Sequence, residues 1–276
     1  MYRELLIQMT VSKLTGRNNP ILKTIRLVSS DSRRAPKQLI VAEGVRVLEE
    51  ACRTGQTIDA VVLSEHFGDT ERERDLLAAW SEKHVRIRSI SDSLFKSVSS
   101  VQNPQGAIAL VRMPERRLHE IIPVSNMLIV CAYAIQDPGN LGTLIRAAAA
   151  AGADLLCTTK GTVSVRNPKV VRSSAGAIFH LPLIENIDMA DFRDYCSAHS
   201  IRLYRTDARR GTSHTQADLG SPCAILLGNE GSGVSGEEYA GCHSIRIPMD
   251  EKIESLNVAM AGTIILFEAF RQRKCL

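Results

Sequence analysis

A chain of 276 residues with 44% hydrophobic and 23% charged content holds enough apolar side chains for a full core, its length suits two modest domains, and its net charge of +4 is too small by itself to demand a polyanionic partner. Its apolar runs, such as residues 127–134, stop far short of the roughly 20 residues a membrane span needs, and no N-terminal apolar stretch leads to a cleavage site, so a cytoplasmic protein with no membrane contact is expected. The seven cysteines (52, 131, 157, 196, 223, 242 and 275) and seven histidines show no metal-ligand spacing and no disulfide pattern, which excludes a zinc site and predicts reduced, mostly buried thiols with no bound metal.

In chain order, residues 1–37 come first as a basic arm. Eight cations (Arg3, Lys13, Arg17, Lys23, Arg26, Arg33, Arg34 and Lys37) stand there against Glu4 and Asp31, leaving the rest of the chain slightly acidic. Such a run is a solvated face as often as a phosphate-contacting surface. From residue 38 the pattern alternates: an apolar run at 39–42, a helical stretch at 43–53, a β-branched run at 58–63, a helical stretch at 71–83, then runs at 85–90 and 107–111. This is βαβ periodicity and predicts a small α/β domain over residues 38–113. Charged residues and two prolines then break the rhythm, and a linker is placed at residues 114–125.

Alternation resumes over residues 126–276. Strands are predicted at 127–134, 155–158, 181–184, 201–206, 224–227 and 245–248, with helices at 143–151, near 169–179, at 189–199 and from 255 to about 273. Strands alternating with helices imply a parallel sheet, whose ligands bind at the carboxyl ends of its strands.

Three strand ends carry unusual loops. Residues 137–152 read DPGNLGTLIRAAAAAG, in which Pro138 and Gly139 turn the chain and the alanines form a thin, strong helix. Arg146 is expected on the first turn of that helix, where it opposes the dipole unless an anion is bound there too. Residues 228–235 read GNEGSGVS, with glycines around the carboxylate of Glu230. Residues 247–261 read IPMDEKIESLNVAMA; Ser255 can cap the last helix there, whereas Asn257, expected inside the first turn, has no such local role.

These three segments resemble motifs one, two and three of the SpoU/TrmH-type branch of the SPOUT methyltransferases, in order and near the expected spacing. The likeness covers the whole C-terminal domain, including NPKVVRSSAGAIFHLP at 167–182. The N-terminal domain resembles, more weakly, the ribosomal-protein-like substrate-binding domain of ribosomal RNA members. The resemblance implies an α/β fold whose C-terminal parallel-sheet domain carries a deep trefoil knot, preceded by a small α/β RNA-binding domain. It implies transfer of a methyl group from S-adenosylmethionine to a ribose 2′-hydroxyl, most directly in 23S ribosomal RNA, with transfer RNA as the alternative substrate.

By resemblance Arg146 is the main catalytic residue, and Asn140, Glu230, Ser255 and Asn257 match the other active-site positions. The cofactor is expected against Thr206, Gly228, Ile247, Met249 and Leu256, where apolar side chains enclose the adenine and main-chain amides meet its edge. Two rivals are weighed. Gly231, Gly233 and Gly236 formally match GxGxxG, with Asp250 where a dinucleotide enzyme would hold its ribose, but only four residues separate Gly236 from Gly241, too few for the crossover helix that motif must open. A non-catalytic RNA-binding protein is the other, opposed by the intact set of five polar residues. The last helix, VAMAGTIILFEAF at 258–270 with Glu268 its only charge, is apolar on nearly every side and should be buried all round. The resemblance implies a homodimer through it.

Overall fold

The computed structural model describes residues 12–228 and 241–274. The chain divides into two compact units, Met1–Glu115 with Arg166–Phe179, and Arg116–Val165 with His180–Leu276.

Among the described residues the first unit holds a five-stranded sheet in the order β1-β4-β3-β5-β2, with β1 at Ser12–Lys13, β2 at Leu39–Glu43, β3 at Ile58–Leu63, β4 at Ile87–Ser89 and β5 at Ala107–Arg112. The βαβ rhythm is present in β3 and β4, which pair in parallel, but β5 runs antiparallel to both β2 and β3, so the sheet is mixed. Helix α1 (Pro20–Ser29) falls inside the stretch read as a basic arm. Asn19 caps it by accepting from the amide of Ile21, Pro20 presets its first turn, and Leu22, Ile25 and Val28 enter the core beside Val41 and Ile108. Helices α2 (Val45–Arg53), α3 (Glu71–Glu82) and α4 (Asp92–Lys96) also belong to the unit, α3 starting on a capping box of Thr70 and Glu73.

Helix α6 (Pro168–Ser173) also packs here, although its sequence lies far into the second half of the chain. Arg166 pairs with Asp31 at 3.2 Å. Gly176, at φ +88°, sits so close to α2 that a Cβ would collide with the side chain of Glu50.

The second unit carries a seven-stranded sheet among the described residues, in the order β10-β12-β9-β11-β6-β7-β8. Its strands are β6 (Leu128–Ala132), β7 (Leu155–Thr159), β8 (Leu183–Ile187), β9 (Arg202–Thr206), β10 (Thr212–Ser213), β11 (Cys223–Leu227) and β12 (His243–Arg246). Every pairing is parallel. β6, β7 and β11 are buried along their whole length, the pattern of a sheet covered on both faces. Cys131, Cys157, Cys196 and Cys223 lie buried in this unit, and burial pushes the Cys196 thiol up to about 12.

Among the described residues three helices serve the sheet: α5 (Pro138–Ala150), α7 (Met189–Ala198) and α8 (Val258–Lys274). α5 packs against α8. Within the single chain α8 is covered on one face only. Val258, Ala259, Gly262, Ile265, Leu266 and Ala269 face the core, whereas Met260, Ile264 and Phe267 remain 61%, 39% and 46% exposed on the opposite face. One domain core covers only one side of a helix. Among the described residues no helix is long and apolar enough to cross a membrane. Residues 229–240, Glu230 and the glycine triplet of the dinucleotide rival among them, lie outside the described residues.

Candidate active site

The carboxyl ends of β12, β9 and β11 lie side by side. Main chain leaving these ends exposes amides and carbonyls with no strand partner, and in a parallel sheet all such ends point the same way. A cavity of about 380 Å³ opens there, inside the range of about 300–1,000 Å³ usual for small-molecule sites. Thr206, Gly228 and Ile247 line it from the three strand ends, Met249, Ser255 and Leu256 from the connection that follows β12, and Val258, Ala261 and Ile265 from α8. All five positions expected to hold the cofactor therefore border one cavity, and Ser255 borders it with them. Its walls are mostly aliphatic, while the Thr206 hydroxyl donates to the carbonyl of Leu226 at 3.2 Å and locks β9 to β11.

A polar side of the cavity was not expected. Arg205, Asp207, Arg209 and Arg210 line it as well. The Asp207 carboxylate accepts from the amides of Arg209 at 2.9 Å and Arg210 at 2.8 Å. Burial opposes its ionisation, but those two amides and the guanidiniums of Arg205 and Arg210 outweigh burial and hold it below the ordinary carboxylate range. A fixed carboxylate among the lining side chains suits ligand hydroxyls or a cationic centre. The sequence signal was RTDARRG, three cations and an acid directly after a strand.

Asn140 and Asn257 do not line the cavity as the described residues form it, but they meet each other: Asn257 Nδ2 donates to Asn140 Oδ1 at 2.9 Å. Asn140 stands in the first turn of α5, whose cap Asp137 accepts from the Asn140 amide at 2.8 Å. Asn257 is the cap of α8, its Oδ1 accepting from the amides of Ala259 at 3.0 Å and Met260 at 3.3 Å. Two expectations are thereby corrected: Asn257 rather than Ser255 starts the last helix, and Asn257 does have a local role. Ser255 is left free to face the cavity.

Arg146 also needs a correction. α5 begins at Pro138, so Arg146 lies in its third turn, beyond the reach of the helix-end dipole invoked for it. It is exposed and is not among the described residues that line the cavity. It shares α5 with Asn140, and through the Asn140–Asn257 bond that helix is joined to residues 255 and 256 of the cavity wall.

Family comparison matches two separate stretches of the chain. Residues 127–267 match the SpoU rRNA methylase family, and residues 19–109 match the MRM3-like substrate binding domain. The 23S rRNA (guanosine(2553)-2′-O)-methyltransferase RlmP of Bacillus subtilis is 27% identical over 258 residues, covering 93% of this chain and 98% of its own length. The 23S rRNA (uridine(2479)-2′-O)-methyltransferase of Streptomyces viridochromogenes is 30% identical over 273 residues, covering 95% of this chain and 92% of its own. The crystal structure of an rRNA methyltransferase from Sinorhizobium meliloti with bound S-adenosylmethionine superposes with a TM-score of 0.82 at 27% identity, over 95% of this chain and 98% of that one.

Proposed function

The chain belongs to the SpoU rRNA methylase family, and from that premise we propose that it is an S-adenosylmethionine-dependent methyltransferase that modifies a ribose 2′-hydroxyl in 23S ribosomal RNA. The observation that carries the reading is the cavity at three adjacent strand ends, lined by aliphatic side chains and by the charged residues that follow β9. Its size and lining fit an adenosine-bearing sulfonium ligand, with Ile247, Met249 and Leu256 against the base and Thr206 and Gly228 offering main-chain groups. Bound there, S-adenosylmethionine supplies an electrophilic methyl group.

The chain's own residues then have three tasks. Arg146 binds the phosphate next to the target ribose and stabilises negative charge growing on its 2′-oxygen; a guanidinium is too weak a base to take the proton. Ser255 and Glu230 orient the ribose. Asn140 and Asn257 fix α5 against the start of α8, which sets where Arg146 stands. The MRM3-like unit favours ribosomal over transfer RNA as the substrate, and the cytoplasm is the compartment proposed for the reaction.

The exposed stripe of Met260, Ile264 and Phe267 supports a homodimer through α8, because apolar side chains spaced along one helix face gain by mutual burial. Light scattering at micromolar concentration should return a dimer, and Ile264→Glu with Phe267→Glu should return a monomer; a monomeric wild type refutes the assembly. For the reaction, ribosomal RNA from a strain lacking the protein is incubated with S-adenosylmethionine labelled in its methyl group. Label should appear on a single ribose in 23S RNA, and absence of transfer to any RNA refutes the activity.

A further inference from the structure

Glu43 ends β2 at 3% exposure, and a carboxylate so buried persists only where donors replace water. Its hydrogen bonds come from the connection between α4 and β5. The hydroxyl of Ser99 donates to Oε1, and the amide and hydroxyl of Ser100 donate to Oε2 at 3.0 and 2.8 Å. Two arginines hold the same connection from other elements. Arg26 of α1 donates to the hydroxyl of Ser97 at 3.5 Å, and Arg172 of α6 donates to that of Ser100 at 2.5 Å. Ser100 thus accepts from Arg172 while donating to Glu43. Further along, Gln105 Oε1 accepts from the Val45 amide at 2.8 Å, and the carbonyl of Gly106 accepts from the Ser64 amide at 2.8 Å.

A ten-residue connection fastened at this many points is unusual, because connecting segments are ordinarily the mobile part of a domain. What the fastening leaves outward is its tip. Gln102 and Asn103 are exposed and hydrogen-bond to nothing among the described residues. Carboxamides are the side chains that pair with base edges through a donor and an acceptor together. Unpaired nucleotides are read on those edges, and a loop already held in place loses little entropy on binding. Exposed Arg46 and Lys96, in α2 and α4, add positive charge to the elements flanking the loop, as a phosphate backbone requires.

We propose that residues 97–106 form an RNA-reading loop in which Gln102 and Asn103 bind base edges of unpaired nucleotides of the substrate, with Glu43 and Arg172 as positioning residues. The proposal rests on the reading of the chain as an RNA methyltransferase and assigns the substrate contact within it. It also gives α6 a purpose: the segment leaves the catalytic sheet after β7, fastens the reading loop through Arg172, and returns to that sheet as β8.

The full-length protein is assayed with labelled S-adenosylmethionine on 23S RNA from the deletion strain. Gln102→Ala with Asn103→Ala, both on the surface, should raise KM for RNA on the order of tenfold or more, with kcat and the Kd for S-adenosylmethionine unchanged. Arg172→Ala should move KM in the same direction, and Arg172→Lys should restore part of it; a purely structural role would lower thermal stability without this split. An unchanged KM in the double variant overturns the proposal. If the wild type transfers no label, the methyltransferase reading fails separately, and filter binding of the same RNA decides the loop: equal affinity of wild type and double variant then overturns it.

Discussion

Asn257 carries two roles in one side chain, and substitution can separate them. Its Oδ1 caps α8 through the amides of Ala259 and Met260, and its Nδ2 bridges to Asn140 at 2.9 Å. Replacing an Asn cap with Ala costs about 1 kcal/mol, and an amide–amide hydrogen bond at an exposed position adds about 0.5 kcal/mol. Asn257→Ala should therefore lose about 1.5 kcal/mol, a fall in Tm of about 3–6 °C for a unit of this size. Asn257→Ser keeps a capping oxygen of equal rank but is too short to reach Asn140. It should recover about 1 kcal/mol of the loss while recovering no activity, since a displaced α5 moves Arg146, and misplacement by about 1 Å costs on the order of a hundredfold in rate. Urea titration of the three proteins gives the stabilities, and methyl transfer under saturating cofactor gives the rates. Activity restored by Ser would show that the cap alone matters and would remove the Asn140 bridge from the mechanism. Equal stability of all three proteins would refute the capping argument.

Arg146→Ala should lower turnover on the order of a hundredfold or more and leave cofactor affinity by calorimetry unchanged, because Arg146 is exposed and away from the cavity lining; wild-type turnover would refute its role. At Gly262 a Cβ would stand 2.8 Å from Leu144 Cδ1 and 2.9 Å from Leu227 Cδ1, so Gly262→Val should destabilise by about 1–3 kcal/mol through overpacking. Gly262→Ala should cost less, since about 1 kcal/mol of helix propensity offsets the crowding, and the reverse order in a denaturation series would contradict the close approach of α5 and α8. Glu268 is held down at about 2 against an ordinary 4.5, chiefly by the Arg271 guanidinium, over the opposition of burial and with help from Gln272. Because its folded value is depressed, its contribution is complete above about pH 4.5 and disappears as pH falls toward 2. The stability difference between wild type and Glu268→Gln should shrink over that window, and a difference that does not vary with pH refutes the pairing.

The buried strands of the second unit were legible because an all-parallel sheet leaves unbroken apolar runs; 155–158 and 224–227 fall within one residue of β7 and β11. What eluded the sequence was decided by packing. α1 shows only three core residues in a charged stretch, so its cations hid its apolar face. Ser255 and Asn257 are both good caps, and the burial of Val258 and Ala259 sets the start of α8 at the second. The sequence pattern starts that helix at residue 143 and so puts Arg146 in its first turn, whereas the Asp137–Pro138 cap starts it five residues earlier. Glu43 reads as the opening of a helix, and the hydroxyls of Ser99 and Ser100 with the Ser100 amide, far along the chain, explain how it can end a buried strand.

The strand order explains why the cavity opens where it does although every strand ends in a loop. β6, β7 and β8 follow one another outward, and the chain then crosses to the other side of β6 to lay down β9. A gap one strand wide is left between β9 and β6, which β11 enters, pairing with both, before β12 closes against the far side of β9. Loops after β9, β11 and β12 are thereby brought next to one another although more than 20 residues of chain can separate them. Such a reversal of strand order is where parallel sheets open a crevice, because flanking connections diverge there and leave strand ends uncovered. The order is a property of three-dimensional pairing, so periodicity could place each strand without placing the crevice. Leu227→Ala at the end of β11 should therefore weaken S-adenosylmethionine binding by calorimetry more than Ile184→Ala in β8, which ends far from the cavity, and equal losses would refute the reasoning: β11 is the strand on which both halves of the sheet close.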